Sequence, residues 1–277
     1  MLLLGVKSRW NELVWRRQLS PFLEFHEEFE DLTKYFELQK KTIIKELGNK
    51  KLRHIAVHVP IYVNAIPYDL VSNETNYKLA KKCIEILEEL HCKNKPILVI
   101  HSPGLLGNKE KRIEKMIEKI KKLLSEHENV KFGIENMPYY AEIGRLIGLH
   151  PKTFVYPEDF EIFLEKISND RVGIVLDIAH LFKTERNPYG LFNEFIEKFK
   201  ERIVSIHIAD AIYPNKDGLQ IGDGEIDFDV IMKDLVQMSK GREIVVIPEI
   251  HNGHLNKGRG FKIALKRLGK YLNKYQE

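Results

Sequence analysis

Residues 97–101 read Ile97-Leu-Val-Ile-His101, four branched apolar residues that end on an imidazole. The same construction recurs as His54-Ile-Ala-Val-His58, Phe132-Gly-Ile-Glu135, Ile174-Val-Leu-Asp177, Ile203-Val-Ser-Ile-His207 and Ile244-Val-Val-Ile-Pro-Glu249. Short continuous apolar runs rich in β-branched residues are what strands buried on both faces of a parallel sheet require. A carboxylate or imidazole at the edge of such a core is costly unless paired, and a divalent cation satisfies several together. One such residue alone is commonly a hydrogen-bonded structural group. Six runs with the same ending point to one shared site.

Outward from these runs the chain alternates strand and helix. Strand candidates are Leu2 to Val6, Phe22 to Phe25, Ile55 to His58, Ile97 to His101, Lys131 to Glu135, Gly173 to Asp177, Val204 to Ile208 and Glu243 to Pro248. The clearest helical period is Lys111 to His127, where Ile113, Met116, Ile117, Ile120, Leu123 and Leu124 share one face and lysines and glutamates the other. Further helices are expected at Asn76 to Leu90, Glu158 to Ile167 behind Pro157, Leu191 to Phe199, Phe228 to Met238 and Phe261 to Leu272. An open α/β sheet would bind its ligand at one crevice, whereas here the polar ends are spread over strands three to eight. A closed ring brings every C-terminal strand end to one mouth, so the expected fold is a single-domain (β/α)₈ TIM barrel over residues 1–277.

Composition fits that fold. The 277 residues are 43% hydrophobic and 30% charged, with no linker rich in Gly, Ser or Pro. Lys+Arg 44 against Asp+Glu 40 gives +4, too mild to mark or exclude a nucleic-acid binder. The start, Met-Leu-Leu-Leu-Gly-Val-Lys, lacks the form of a signal peptide, and no apolar run approaches the ~20 residues that span a membrane. Cys83 and Cys92, roughly 13 Å apart if helical, are too distant for a disulfide. A cytoplasmic protein without membrane partners is expected.

The ordered strand-end motifs His58-Val-Pro-Ile-Tyr-Val-Asn64, His101-Ser-Pro-Gly104, Glu135-Asn-Met-Pro138, Asp177-Ile-Ala-His180, His207-Ile-Ala-Asp210, Gly222-Asp-Gly-Glu-Ile-Asp-Phe228 and Pro248-Glu249 resemble the xylose isomerase-like barrel superfamily. That superfamily includes sugar isomerases and epimerases and the endonuclease IV-type enzymes. In the isomerase branch the resemblance implies one divalent metal held by Glu135, Asp177, His207 and Glu249. A set of three carboxylates and one imidazole suits manganese, cobalt, zinc or magnesium, with zinc or manganese expected. It implies proton exchange by Glu135 and Glu249 on a sugar or sugar phosphate, with His180 touching substrate oxygens. In the endonuclease branch His58, His101 and Glu135 match the ligands of a second metal, and the substrate is DNA at abasic sites. That branch also holds a third metal through a residue matching His180 and an Asp-x-His pair after strand seven. Residues 211–221 here contain no histidine, so a complete trinuclear site is not expected and the isomerase branch is favoured.

Other residues are candidates for binding. In His251-Asn-Gly-His-Leu-Asn-Lys-Gly-Arg-Gly260, Lys257 and Arg259 at a helix start would suit a phosphate, or the segment is a basic surface loop. Tyr139 and Tyr140 would stack on a sugar or base, or pack. Lys183 and Arg186 are expected to be solvated surface charges.

Overall fold

A computed structural model describes residues 1–48, 50, 52–101, 104, 108–139 and 153–276. Ser102, Pro103, Tyr140 and His150 lie outside the described residues. Strand β1 is Leu2–Leu4 continued by Val6–Ser8, followed by β2 Leu23–His26, β3 Ile55–His58 and β4 Ile97–Ile100. Then come β5 Lys131–Glu135, β6 Val172–Asp177, β7 Ile203–Ile208 and β8 Ile244–Pro248. Each pairs in parallel with its successor, and Leu2–Leu4 pairs with β8 while Val6–Ser8 pairs with β2. The sheet therefore closes on itself as the expected barrel.

The first strand departs from the expected single run Leu2 to Val6. It is interrupted at Gly5, where pairing passes from β8 to β2, and runs on to Ser8. A Cβ at Gly5 would lie 2.5 Å from Ile247 Cδ1 and 2.7 Å from Val245 Cγ1, so only glycine fits the seam. Helices the periodicity did not single out, Phe29–Thr33 and Phe36–Leu47, fill the connection from β2 to β3. The second buries Phe36, Gln39, Ile43 and Leu47, a stripe too narrow and too polar to stand out. The helix Lys109–Glu126 buries the six apolar residues its period named. The last helix starts at Leu255 rather than Phe261, but Asn256, Lys257 and Gly258 are left-handed and interrupt its first turns. Among the described residues no helix is long and apolar enough to cross a membrane.

Strand parity decides where the polar ends go. Successive side chains on a strand point to opposite faces. Val57, Leu98, Ile134, Leu176, Ile206 and Val246 join the main cluster between sheet and helices. Ala56, Ile97, Val99 and Val175, and separately Phe22, Val245 and Ile247, form small clusters inside the ring. His58, His101, Glu135, Asp177, His207 and Glu249 all continue the inward parity, so the strand ends turn them towards the barrel axis.

Glu27, just past β2, has the outward parity and is buried against Gln39, whose amide donates to it. Burial pushes its carboxyl up to about 8, with the Gln39 hydrogen bond opposing. Between the ordinary value of 4.5 and about 8 the folded chain holds a proton that the unfolded chain has lost, so stability falls as pH rises through that window. Glu27→Gln is expected to leave stability near pH 5 little changed. At pH 9 it should add on the order of a few kcal/mol, read from urea midpoints, whereas parallel pH profiles for parent and variant would refute this.

Candidate metal centre

The inward-facing ends of β5 to β8 bring Glu135, Asp177, His207 and Glu249 together, with one ligand atom from each within 4.8 Å of the others. His58, His101 and Glu135 form a second such group, so Glu135 belongs to both. Register explains the convergence, since Asp177 pairs with His207, and His58 with Val99 two residues before His101. The two Glu135 oxygens divide the work. Oε2 lies 2.8 Å from His101 Nε2 and 3.2 Å from His58 Nε2, while Oε1 lies 3.3 Å from His207 Nδ1.

Hydrogen bonds orient these ligands from behind. His207 Nε2–H donates to the wholly buried Glu24 at 2.9 Å, which leaves Nδ1 facing Glu135 and Glu249. A carboxylate behind a histidine in this way fixes its ligating nitrogen. His58 Nδ1–H donates to the Val59 carbonyl and turns Nε2 to Glu135. Asn136 clamps Asp177, accepting its N–H at 2.7 Å and donating to its carbonyl at 3.0 Å. The Asn136 carbonyl accepts His180 Nδ1–H at 2.8 Å, and Asp177 Oδ1 accepts the His180 backbone N–H at 2.9 Å as a helix cap.

The donor set fits a cation. Glu135 Oε1 and His207 Nδ1 are buried without a well-formed hydrogen bond and face Glu249 Oε1, which lies 2.7 Å from His207 Nδ1 and otherwise meets the ammonium of Lys7. Buried polar atoms are rarely left so, and the convergence of these donors on one point makes a place for an ion. The electrostatics agree. Burial opposes charge on Glu135 and Glu249, yet the imidazoles around the first and Lys7 and His207 beside the second hold both carboxyls well below the usual range. Burial pushes Asp177 up to about 7, against His180. His207, despite burial, is held well above its ordinary value by Glu24, Glu249 and Glu135, so a positive charge is favoured at its position.

A cavity of about 560 Å³ opens over the four-ligand group, and His101, Asp177, His180 and Glu249 reach its wall. Such a fold and ligand set can be compared with known proteins. Residues 20–271 match the family model described as xylose isomerase-like TIM barrel. The chain belongs to that family.

Relatives at the sequence level include an uncharacterized protein of Methanocaldococcus jannaschii, 26% identical over 222 residues, covering 74% of this chain and 68% of that one. A probable endonuclease 4 of Carboxydothermus hydrogenoformans is 26% identical over 206 residues, 72% of this chain and 61% of the relative. The chain thus matches about three-fifths of that endonuclease. Among solved structures, a D-tagatose 3-epimerase-like protein has a TM-score of 0.71 at 17% identity, over 99% of this chain and 98% of that one. An L-ribulose 3-epimerase has a TM-score of 0.66 at 14% identity, over 100% of this chain and 96% of that one. At these identities the likeness is one of fold.

Within the xylose isomerase-like frame the remaining sequence candidates separate. Lys183 is not the solvated charge expected. It is buried in the cavity wall, with Nζ 2.6 Å from Asp217, because the hairpin 210–219 folds back over the helix Ile178–Thr184. That hairpin and the turn after it are anchored by Asp210, whose carboxylate accepts the N–H groups of Ala211, Gly222, Gly224 and Ile226. Arg186 is exposed as expected. Lys257 and Arg259 are exposed and outside the cavity lining. Tyr139 is half-buried, also outside that lining, and its N–H donates to Thr184 Oγ1.

Sequence reading missed Lys7, Glu24 and Asn136. A signal existed for Glu24, a lone carboxylate in the apolar run Phe22-Leu-Glu-Phe25, and Lys7 shares the parity of Gly5.

Proposed function

We propose that the protein is a divalent-metal-dependent isomerase or epimerase of a sugar or sugar phosphate, working in the cavity at the C-terminal mouth. The observation that carries this reading is the pair Glu135 and Glu249, both facing His207 Nδ1 at 3.3 and 2.7 Å beneath a cavity of small-molecule size. A cation held by Glu135, Asp177, His207 and Glu249 would polarise a ketose carbonyl and its neighbouring hydroxyl and so acidify the adjacent C–H. One of the two glutamates takes that proton from one face of the carbon, and the other returns a proton to the opposite face. His180, with Nδ1–H held by Asn136, offers Nε2 to a substrate hydroxyl. The ion pair of Lys183 and Asp217 offers donors and an acceptor to further hydroxyls. Lys257, Arg259 and Tyr139 serve only a substrate that extends beyond the cavity, such as one with a phosphate end.

The test needs no guess at the product. Protein reconstituted with manganese or zinc is incubated in D₂O with a panel of ketoses and ketose phosphates, and proton NMR follows the carbons beside the carbonyl. Metal-dependent exchange at one such carbon is expected, and loaded protein that exchanges none of the panel overturns the reading.

A second reading is favoured by the group His58, His101 and Glu135 together with the endonuclease 4 relatives. Two metals sharing Glu135 would suit phosphodiester cleavage at an abasic site, one activating the attacking oxygen and one stabilising the leaving oxygen. Metal-dependent nicking of an abasic duplex supports it, and an intact duplex after incubation with loaded protein rules it out.

A further inference from the structure

The ammonium of Lys7 touches Glu249 Oε1, the same oxygen that lies 2.7 Å from His207 Nδ1, and lies 3.7 Å from Glu24 Oε1. Its side chain, only 12% exposed, reaches the centre from Val6–Ser8 and forms part of the cavity wall. A charge held there is poorly screened by water. Glu135, by contrast, has the imidazoles of His58, His101, His180 and His207 within 4 Å and, among the described residues, no ion pair with Lys or Arg. The two halves of the centre therefore differ. One is built of imidazoles around a carboxylate, and the other carries a fixed positive charge on a ligand oxygen.

We propose that Lys7 is an internal competitor for the divalent cation at the group Glu135, Asp177, His207 and Glu249, making that half of the centre the weaker and more readily exchanged. This rests on the metal-centre reading above. An arriving cation must either displace the ammonium from Glu249 Oε1 or share the oxygen with it, and like charges at contact distance repel. The group formed by His58, His101 and Glu135 escapes that penalty. A weakly held metal keeps more of its charge for substrate oxygens, and a displaced ammonium stays in the cavity wall beside them.

Calorimetric titration of the full chain with manganese, after chelation and dialysis, tests the idea. Lys7→Met is expected to bind one manganese at least tenfold more tightly than the parent, with the other within about twofold, and Lys7→Arg is expected to keep the parent affinities. Equal or weaker binding at both sites in Lys7→Met overturns the proposal while a loaded parent leaves the metal centre standing. No metal in parent or variant overturns both. Circular dichroism checks folding, and Lys7→Gln takes the place of Lys7→Met should the latter fail to fold. A variant that folds only with manganese present draws its folding free energy from binding, shows no tighter site and counts against the proposal. Variants unfolded with or without it would make Lys7 a structural partner of Glu249 and overturn it.

Discussion

Glu135→Gln is expected to cost metal at both halves of the centre and to lower turnover by roughly a thousandfold or more, the scale of loss when a member of a coupled catalytic unit is removed. The geometry gives the reason. Glu135 Oε2 serves His58 and His101 while Oε1 serves His207, so neither oxygen is spare. An amide of the same shape has one NH₂ end, and either orientation puts that donor where an acceptor is needed. Pointed at His58 and His101 it meets Nε2 atoms already turned inward, and pointed at His207 it removes a ligand from the four-residue group. The lost charge adds to this, because the imidazoles around Glu135 are what hold its carboxyl ionised in a buried place. Metal content after dialysis and rate in the D₂O exchange assay are the two readouts. Asp177→Asn is the control, since Asp177 belongs to one group only and should spare the manganese bound by the other. Full metal content and parent-like rate in Glu135→Gln would remove the centre from any account of function.

How much of this was legible in the sequence follows from what each residue advertises. The ligands could be read because each is a single polar residue closing an apolar run, and because inward parity is inherited from residues two positions back. The barrel could be read because polar ends on six strands need a ring to meet. Glu24 and Lys7 could not be read in the same way. They interact with one another and, across the barrel interior, with His207 at the end of β7 and Glu249 just past β8, some 180 to 240 residues away along the chain. Nothing local to Leu23-Glu-Phe25 or Val6-Lys-Ser8 says which partners lie opposite. Lys183 was misjudged for a related reason. A lysine on a short helix is solvated by default, and only the hairpin 210–219, folded over it by the Asp210 hydrogen bonds, makes it a buried partner of Asp217. Asn136 lies within a motif the sequence did display, but its work is to bind the backbone of Asp177 and the ring of His180, and backbone recognition leaves no trace in residue spacing.

The choice between the two functional readings turns on His58 and His101, and a stoichiometry followed by an activity decides it. The parent is expected to take up two manganese ions per chain and the double variant His58→Ala, His101→Ala one, measured by titration at saturation so that a weakly held ion is counted. His58 Nδ1–H is committed to the Val59 carbonyl, so in the neutral ring Nε2 presents a lone pair to Glu135 Oε2 at 3.2 Å. Burial holds His101 below its ordinary value even with Glu135 beside it, so its ring is neutral near pH 7. Two imidazole Nε2 atoms thus converge on one carboxylate oxygen, at 2.8 and 3.2 Å, and a metal ion would take all three as ligands at once. One ion in parent and double variant alike would make the two histidines lining residues. The activity of the one-metal variant then separates the chemistries. Proton exchange next to a ketose carbonyl needs only Glu135, Glu249 and the ion between them, so it should survive loss of the imidazole half within about tenfold. Phosphodiester cleavage as framed above uses one ion on the attacking oxygen and one on the leaving oxygen, so it should fall by orders of magnitude with the second ion. A double variant that keeps exchange makes the histidine half an accessory to an isomerase, whereas one that loses nicking makes it half of the catalyst.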